Sequence, residues 1–395
     1  MLPDPKQLRD KTAIVGIGQT KLTRGDAPYT PAIHKSLEAA RKAIEDAGLR
    51  PQDIDGVLMG GSHFGGFPDD FITNFGIKDL KFQGMPHGGG ATAAYSVHDA
   101  VLAVATGVCK YVLVIMAING YSDARVSRGR MTLESSTYYD YRTELERPYS
   151  YYAPMIYFGT WFTRHAYETG MTSRQLGAIA VACRKHACLN ELALMRTPIT
   201  IEDHQKSPKM TNVLRLLDCS IEADGGGAVV ITSAERANDL KQRPVYIMGV
   251  GEGHPPVVSD NTINKPEFLS WGARNAANRA REMAGVTNKD MDFAEIYDAF
   301  TYIALFQLQE MGFAKKEEIG GWVEGGRLEL GGELPLNTHG GLLSQGHVNG
   351  INHIVEGVIQ LRGQAGAAQV KDAELGWVTG MGDMGCNGVI IMRRA

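Results

Sequence analysis

The sequence predicts an α/β protein built from two copies of one β–α unit, and two repeats carry that expectation. Ala39-Ala-Arg-Lys-Ala-Ile-Glu-Asp-Ala-Gly48 is followed by Leu49-Arg-Pro-Gln-Asp-Ile-Asp55. Ala276-Ala-Asn-Arg-Ala-Arg-Glu-Met-Ala-Gly285 is followed by Val286-Thr-Asn-Lys-Asp-Met-Asp292. Positions 39 and 276, and positions 55 and 292, both differ by 237. A fixed offset of this kind marks a duplicated structural unit. Each copy reads as a helix closed by a C-terminal glycine, a short turn and a strand. Each is preceded by a glycine-ended β-rich run, Ala13 to Gly18 and Val245 to Gly251.

The second repeat is a glycine elbow that opens a helix. Gly88-Gly-Gly-Ala91 leads into a helical stretch closed by Gly107, and Gly346-His-Val-Asn-Gly350 leads into one closed by Gly363. Matching the closing glycines gives an offset of 256, which sets Gly90 against Gly346 and Ala91 against His347. A helix N-terminus presents free N–H groups and partial positive charge, suited to an anion or a developing oxyanion. The two elbows are therefore expected to face one shared site.

The copies imply an N-terminal half over residues 1–240 and a C-terminal half over 241–395. Within the first lies an insertion over about 118–212, expected to be rich in loops. It holds Tyr121, Tyr138, Tyr139, Tyr141, Tyr149, Tyr151, Tyr152, Tyr157 and Tyr167. Such a segment either covers a site, meets a partner, or packs its rings in a small core of its own.

Composition excludes several classes of function. A net charge of -4 argues against nucleic acid as a partner, since phosphate binding needs a basic surface. No apolar run reaches the ~18 residues a membrane helix needs, and the N-terminus lacks the apolar core of a secretion signal. The five cysteines are an odd number without framework spacing, so reduced thiols in the cytoplasm are expected. Cys183 and Cys188 belong to one helical pattern that starts at Ser173 and offers no second ligand pair, so no metal site is expected.

The duplicated halves, with their strands and elbow helices, resemble the thiolase superfamily. The resemblance implies two βαβαβαββ halves stacked in α-β-α-β-α layers. Three motifs carry it in order. Tyr297-Asp-Ala-Phe300 stands at the family's Asn-Glu-Ala-Phe motif, Asn337-Thr-His-Gly-Gly341 at its Asn-x-x-Gly-Gly loop, and Gly346-His-Val-Asn-Gly350 at its Gly-His-Pro-x-Gly elbow. His347 then holds the catalytic histidine position. The departures bear on chemistry. The elbow that carries the thiolase nucleophile reads Pro86-His-Gly-Gly-Gly-Ala91, with no cysteine, and Gly380-Met-Gly382 replaces the C-terminal Cys-x-Gly. Cys386 falls four residues later, entering the last strand, and a buried structural thiol is the simpler reading of it.

Loss of the elbow cysteine is similar to one branch in particular, the thiolase-like aldolases that remove steroid side chains. Shared stretches include Pro198-Ile-Thr-Ile-Glu-Asp-His204 and Leu214-Arg-Leu-Leu-Asp218. The branch carries a tyrosine where this chain has Tyr297, and a second tyrosine where this chain has His347. The resemblance implies retro-aldol cleavage of a 3-hydroxyacyl-CoA without an acyl-enzyme. Coenzyme A enters as part of the substrate, and no cofactor is implied. It also implies a homodimer core and a small zinc-ribbon and OB-fold partner subunit.

That chemistry needs a proton acceptor at the β-hydroxyl and donors at the thioester oxygen, the latter worth roughly 3–4 kcal/mol each. Tyr297 is the candidate for the hydroxyl proton; a free phenol titrates near ~10, so it needs a relay or a lowered pKa. His347, expected at a helix N-terminus, should be held neutral, with His339 as its neighbour and the third catalytic candidate. Asn337, Gly88, Gly89, Gly90, Gly346 and Gly380 are the candidate oxyanion and substrate-binding positions. An acyltransferase using Cys386, or a non-catalytic acyl-CoA- or lipid-binding subunit, are the alternative readings.

Overall fold

The structure is a computed structural model that describes residues 4–25, 29–60, 65–123, 147–151, 153–255, 272–382 and 385–395. In the first half, β1 (Thr12–Gln19) leads to α1 (Ala32–Ala47), β2 (Gly56–Met59), α2 (Pro68–Phe75), β3 (Phe82–Gly84), α3 (Thr92–Ala105) and β4 (Tyr111–Asn119). Helices α4 (Pro154–Thr169), α5 (Ser173–Leu189) and α6 (Ile201–Lys206) precede β5 (Asp224–Ser233). The second half runs through β6 (Val245–Gly253), α7 (Gly272–Ala284), β7 (Phe293–Glu295) and α8 (Thr301–Glu310). It ends with α9 (Gly341–Ser344), α10 (Ile351–Arg362), β8 (Leu375–Met381) and β9 (Asn387–Arg394).

The strands order as β3-β2-β4-β5-β1-β6-β9-β8-β7 among the described residues. Reading outward from the central β1–β6 pair, β5, β4 and β2 on one side answer β9, β8 and β7 on the other. In each half the first strand pairs antiparallel with the last, and a register shift falls at the same point, Ile14/Gly16 and Ile247/Gly249.

Glycine explains why the repeat keeps its spacing. A Cβ on Gly16 would lie 2.1 Å from the Ala43 carbonyl oxygen, and one on Gly249 would lie 2.2 Å from that of Ala280. Gly18 stands 2.1 Å from the Ala39 oxygen by the same measure, and Gly251 stands 2.1 Å from that of Ala276. Only glycine permits so close an approach of strand to helix backbone. Both helices end as the sequence predicts, on glycines with positive φ, Gly48 at 76° and Gly285 at 67°.

The layers follow from which helix touches which strands. Helix α1 packs on β1, β4 and β5, and α7 on β6 and β9, each covering the outer face of its own half. Helices α3 and α10 touch strands of both halves. They bury Ala94, Val97 and Val101 from one, and Ile351, Ile354 and Val358 from the other, in a common core. The two elbow helices therefore form the middle layer, and the elbows meet there.

The insertion is largely helical among the described residues, where the sequence reading expected loops. Tyr157, Phe158, Trp161, Phe162 and His165 are buried along α4 at helical spacing, a periodicity the tyrosine count obscured. Tyr149 and Tyr167 stand largely exposed, and Tyr138, Tyr139, Tyr141 and Tyr152 lie outside the described residues. Cys183 and Cys188 both lie on α5. No helix is long and apolar enough to cross a membrane among the described residues.

Candidate active site

Tyr297 sits two residues beyond β7, with its backbone held from both sides. Its N–H donates to Thr379 Oγ1 at 3.0 Å, and Gln307 Nε2 donates to its carbonyl at 2.7 Å. Thr379 Oγ1 in turn donates to Gln307 Oε1 at 2.7 Å, so β8 and α8 fix the residue together. The ring then enters the gap between the elbows. A Cβ on Gly90 would lie 2.2 Å from Tyr297 Cζ and 2.4 Å from its Oη, and one on Gly350 would lie 3.1 Å from Cδ2. The phenol thus fills the space that a side chain at position 90 would need.

Tyr297 Oη lies 3.0 Å from His347 Nε2, with the ring planes at 80°. His347 is half-buried and its N–H donates to the Ile221 carbonyl at 2.8 Å. Helix α10 starts only at Ile351, so His347 is not at a helix N-terminus as expected. Burial instead pushes its imidazole down to about 4, against the pull of nearby Asp298, and His353 adds to the lowering. The expected neutral ring stands, for a different physical reason. Neutral Nε2 can then accept the Tyr297 O–H.

Asn337 does not face a ligand. Its Oδ1 accepts the Ile296 N–H at 2.7 Å and its Nδ2 donates to the Ile296 carbonyl at 2.9 Å. The side chain, at a φ of 53°, clamps the strand end that carries Tyr297. Its role is positioning, which corrects the substrate-binding role expected of it.

His339 is likewise turned inward. It is 1% exposed, its Nδ1 lies 2.8 Å from Glu295 Oε2 off the line of a good hydrogen bond, and Asn352 Nδ2 donates to its Nε2 at 3.3 Å. Burial lowers its pKa. It packs edge-on against His353, whose Nε2 lies 3.1 Å from Asp298 Oδ1. Asp298 also accepts the Leu342 N–H at 2.8 Å, tying the start of α9 to the Tyr297 strand end. His339 therefore supports the site from behind rather than reaching substrate.

The glycines divide by role. Gly88 N–H donates to Thr92 Oγ1 at 3.1 Å and Gly346 N–H to the Gly341 carbonyl at 3.4 Å, so neither is available to substrate. The N–H groups of Gly89 and Gly90 donate to no acceptor among the described residues. Gly89, at φ 54°, turns the elbow. A Cβ on Gly380 would meet the Gly90 carbonyl at 2.7 Å, so this glycine admits the elbow beside β8. Sequence reasoning missed Thr379, Gln307, Glu295, Thr338 and Glu356. A carboxylate in the apolar run Phe293-Ala294-Glu295-Ile296 was the one visible signal.

The cysteines supply no obvious thiolate beside Tyr297. Burial pushes Cys109 up to about 11 and Cys219 up to about 12, and burial beside Asp298 and Glu295 raises Cys183. Cys386 immediately precedes β9, with Sγ 3.5 Å from His254 Nδ1.

Comparison with known proteins identifies the family. A family model described as thiolase C-terminal domain-like matches residues 257–394. The 17-hydroxy-3-oxo-4-pregnene-20-carboxyl-CoA lyase of Mycobacterium tuberculosis is 38% identical over 90% of this chain and 92% of its own. A steroid side-chain-cleaving aldolase of Thermomonospora curvata is 35% identical over 89% of this chain and 90% of its own. A solved structure titled Ltp2-ChsH2(DUF35) aldolase superposes with a TM-score of 0.90 at 33% identity, covering 98% of each chain. With its emptied elbow and these relatives, the chain belongs to the thiolase superfamily, in the branch of the steroid side-chain-cleaving aldolases.

Proposed function

We propose that this chain is a carbon–carbon lyase that cleaves a 3-hydroxyacyl-CoA by a retro-aldol reaction, releasing a ketone or aldehyde and a shorter acyl-CoA. One observation carries the reading: Tyr297 Oη occupies the place of an elbow nucleophile and is hydrogen-bonded to a neutral His347. In the forward step the β-hydroxyl proton passes to Tyr297 Oη as the phenolic proton passes to His347 Nε2. The Cα–Cβ bond breaks, the carbonyl forms at Cβ, and the electron pair moves into the thioester enolate. The imidazolium then returns its proton to Cα, restoring both residues. The free N–H groups of Gly89 and Gly90 are suited to the enolate oxygen, where preorganised donors act most strongly. No step needs a thiol or a cofactor.

The names of the relatives favour a steroid side-chain thioester as substrate. A homodimer core is favoured by β3, an edge strand with one side unpaired among the described residues. The two-component title of the structural neighbour favours a partner subunit, with exposed Tyr149 and Tyr167 as candidate contacts. The test is turnover of a panel of 3-hydroxyacyl-CoA thioesters by the purified chain, alone and with a co-expressed partner. Ketone release in step with a shortened acyl-CoA supports the reading. Free-CoA-dependent acyl transfer would favour the acyltransferase instead.

A further inference from the structure

Behind the site, one hydroxyl group stands between two buried carboxyls. Thr338 Oγ1 lies 2.7 Å from Glu295 Oε1 and 2.7 Å from Glu356 Oε1. Glu295 is 0% exposed, Thr338 0% and Glu356 8%. Gln360 Nε2 approaches both Thr338 Oγ1 and Glu356 Oε1 at 2.9 Å. A hydroxyl carries one proton and can satisfy one carboxylate oxygen. The second contact at this distance would set lone pair against lone pair unless that carboxyl itself carries a proton.

Among the described residues each carboxyl has one N–H donor besides the hydroxyl: Glu295 accepts the Thr338 N–H at 3.0 Å, and Glu356 Oε1 accepts from Gln360 Nε2 at 2.9 Å. His339 Nδ1 lies 2.8 Å from Glu295 Oε2 but off the line of a good hydrogen bond. The hydroxyl proton serves one carboxylate, and a single acid proton on the other closes the chain Glu356–Thr338–Glu295.

We propose that Glu356 is a positioning residue whose proton, shared with Glu295 through Thr338, holds the Asn337–His339 loop in place behind Tyr297. Asn337 clamps Ile296, one residue before Tyr297, so a loop pushed outward by two bare carboxylates would carry the phenol with it. The consequence for turnover rests on the aldolase reading; the shared proton does not. Burial pushes Glu295 up to about 7 and raises Glu356, in the direction that proton sharing requires. The charged and titratable neighbours of the pair are His339 and Asp298 from the loops, His353 from α10, and Cys183 from α5. In the unfolded chain both carboxyls titrate near ~4.3. With raised folded values, their contribution to stability is full below that pH and is lost as pH rises through the folded values, about 7 for Glu295.

Three readouts on wild type, Glu356→Gln and Glu356→Leu test this. Difference infrared spectroscopy should show a buried protonated carboxyl at pH 5–6 in wild type that vanishes by pH 8 and is missing in Glu356→Gln. The melting temperature of wild type should fall over that window, whereas Glu356→Gln, whose amide N–H replaces the acid proton, should fall less and match or exceed wild type at pH 8. Glu356→Leu should lower kcat roughly tenfold or more through a displaced Tyr297, with Glu356→Gln restoring it. A wild type with no protonated carboxyl, or a Glu356→Gln with the wild-type slope of melting temperature against pH, overturns the proposal, whether or not Glu356→Leu folds. If the infrared and melting results hold while no 3-hydroxyacyl-CoA is cleaved, the shared proton stands and the aldolase reading falls.

Discussion

The two glycine elbows descend from one repeated unit, yet they meet the site in opposite ways. The first, Gly88 to Ala91, offers backbone only, and a ring from the other half occupies its open space. The second keeps a side chain, His347, aimed at that ring from 3.0 Å. On the proposed mechanism the reactive group sits on the strand end opposite the first elbow, with the histidine beside it. A cysteine at position 90 and a tyrosine at position 297 would compete for one volume. The substitutions are coupled by packing, so an acyl-enzyme path cannot coexist with the phenol.

The strongest way to break this comparison is to refill the first elbow. In Gly90→Cys the new Cβ meets Tyr297 Cζ at 2.2 Å and the Met381 carbonyl oxygen at 2.3 Å. The ring can be driven out, but the carbonyl belongs to β8 and cannot yield. We expect lyase activity to fall about 10²–10⁴-fold, as for loss of the proton acceptor itself, with overpacking strain of about 1–3 kcal/mol. Tyr297→Asn added to Gly90→Cys relieves only the ring clash, so thiolase activity should not appear. Thiolase activity in Gly90→Cys with Tyr297 still in place would sink the idea of a shared volume.

Next come the two members of the pair. Tyr297→Phe keeps the ring in its slot and removes Oη, so stability should change by about 1 kcal/mol while kcat falls roughly 10²–10⁴-fold. His347→Gln should lose a similar factor, and the double variant less than the product, because both act on one proton transfer. The pH profile sharpens this further. His347 must be neutral to accept the phenolic proton, and burial holds it down to about 4. The acid limb of kcat should therefore lie well below the usual histidine range near ~6.5. Its contribution to stability is full above about 6.5 and is lost as pH falls toward 4, since the unfolded chain binds that proton first. An acid limb near 6.5 would show that another group is the acceptor.

Asn337→Ala should cost less activity and more stability. It leaves the buried Ile296 N–H and C=O without partners, a penalty of roughly 2–4 kcal/mol. Activity should drop through displacement of Tyr297 alone, about tenfold to a hundredfold. A loss as large as that of Tyr297→Phe, with unchanged melting temperature, would restore Asn337 to direct contact with substrate.

Much of this fold was legible because its signals are local. Alanine-rich helix faces closed by Gly48 and Gly285 must pack against Gly16 and Gly249, and a 237-residue offset exposes both copies at once. The site was legible only as motifs. Nothing in spacing says that residue 297 fills the volume beside residue 90, because that contact exists only once the two halves fold onto a common middle layer. His347 was expected beside His339 at a helix N-terminus, whereas its side chain meets Tyr297 and burial is what lowers its pKa. Asn337 and His339 were read as facing substrate because family motifs record position, not which way a side chain turns. The helical insertion was hidden by its tyrosines, although Phe158, Trp161, Phe162 and His165 repeat at helical spacing.

The smallest expected effect concerns Cys386, and it separates the two chemistries that this fold can host. An acyltransferase must hold its acyl group on a thiolate between half-reactions. A retro-aldol never forms that bond, since both fragments leave as neutral carbonyl compounds after one proton has travelled from hydroxyl to Cα. Cys386 is half-buried beside His254, so it is open to an alkylating reagent. Iodoacetamide should therefore label it while lyase turnover holds, and Cys386→Ser should stay within about twofold of wild type, as expected for a residue outside the proton path. Labelling that abolishes turnover in wild type but not in Cys386→Ser would mean only that the adduct blocks access. Turnover lost in Cys386→Ser itself, with a trapped acyl thioester in wild type, would mean that the emptied elbow had been replaced by a second nucleophile rather than by a phenol.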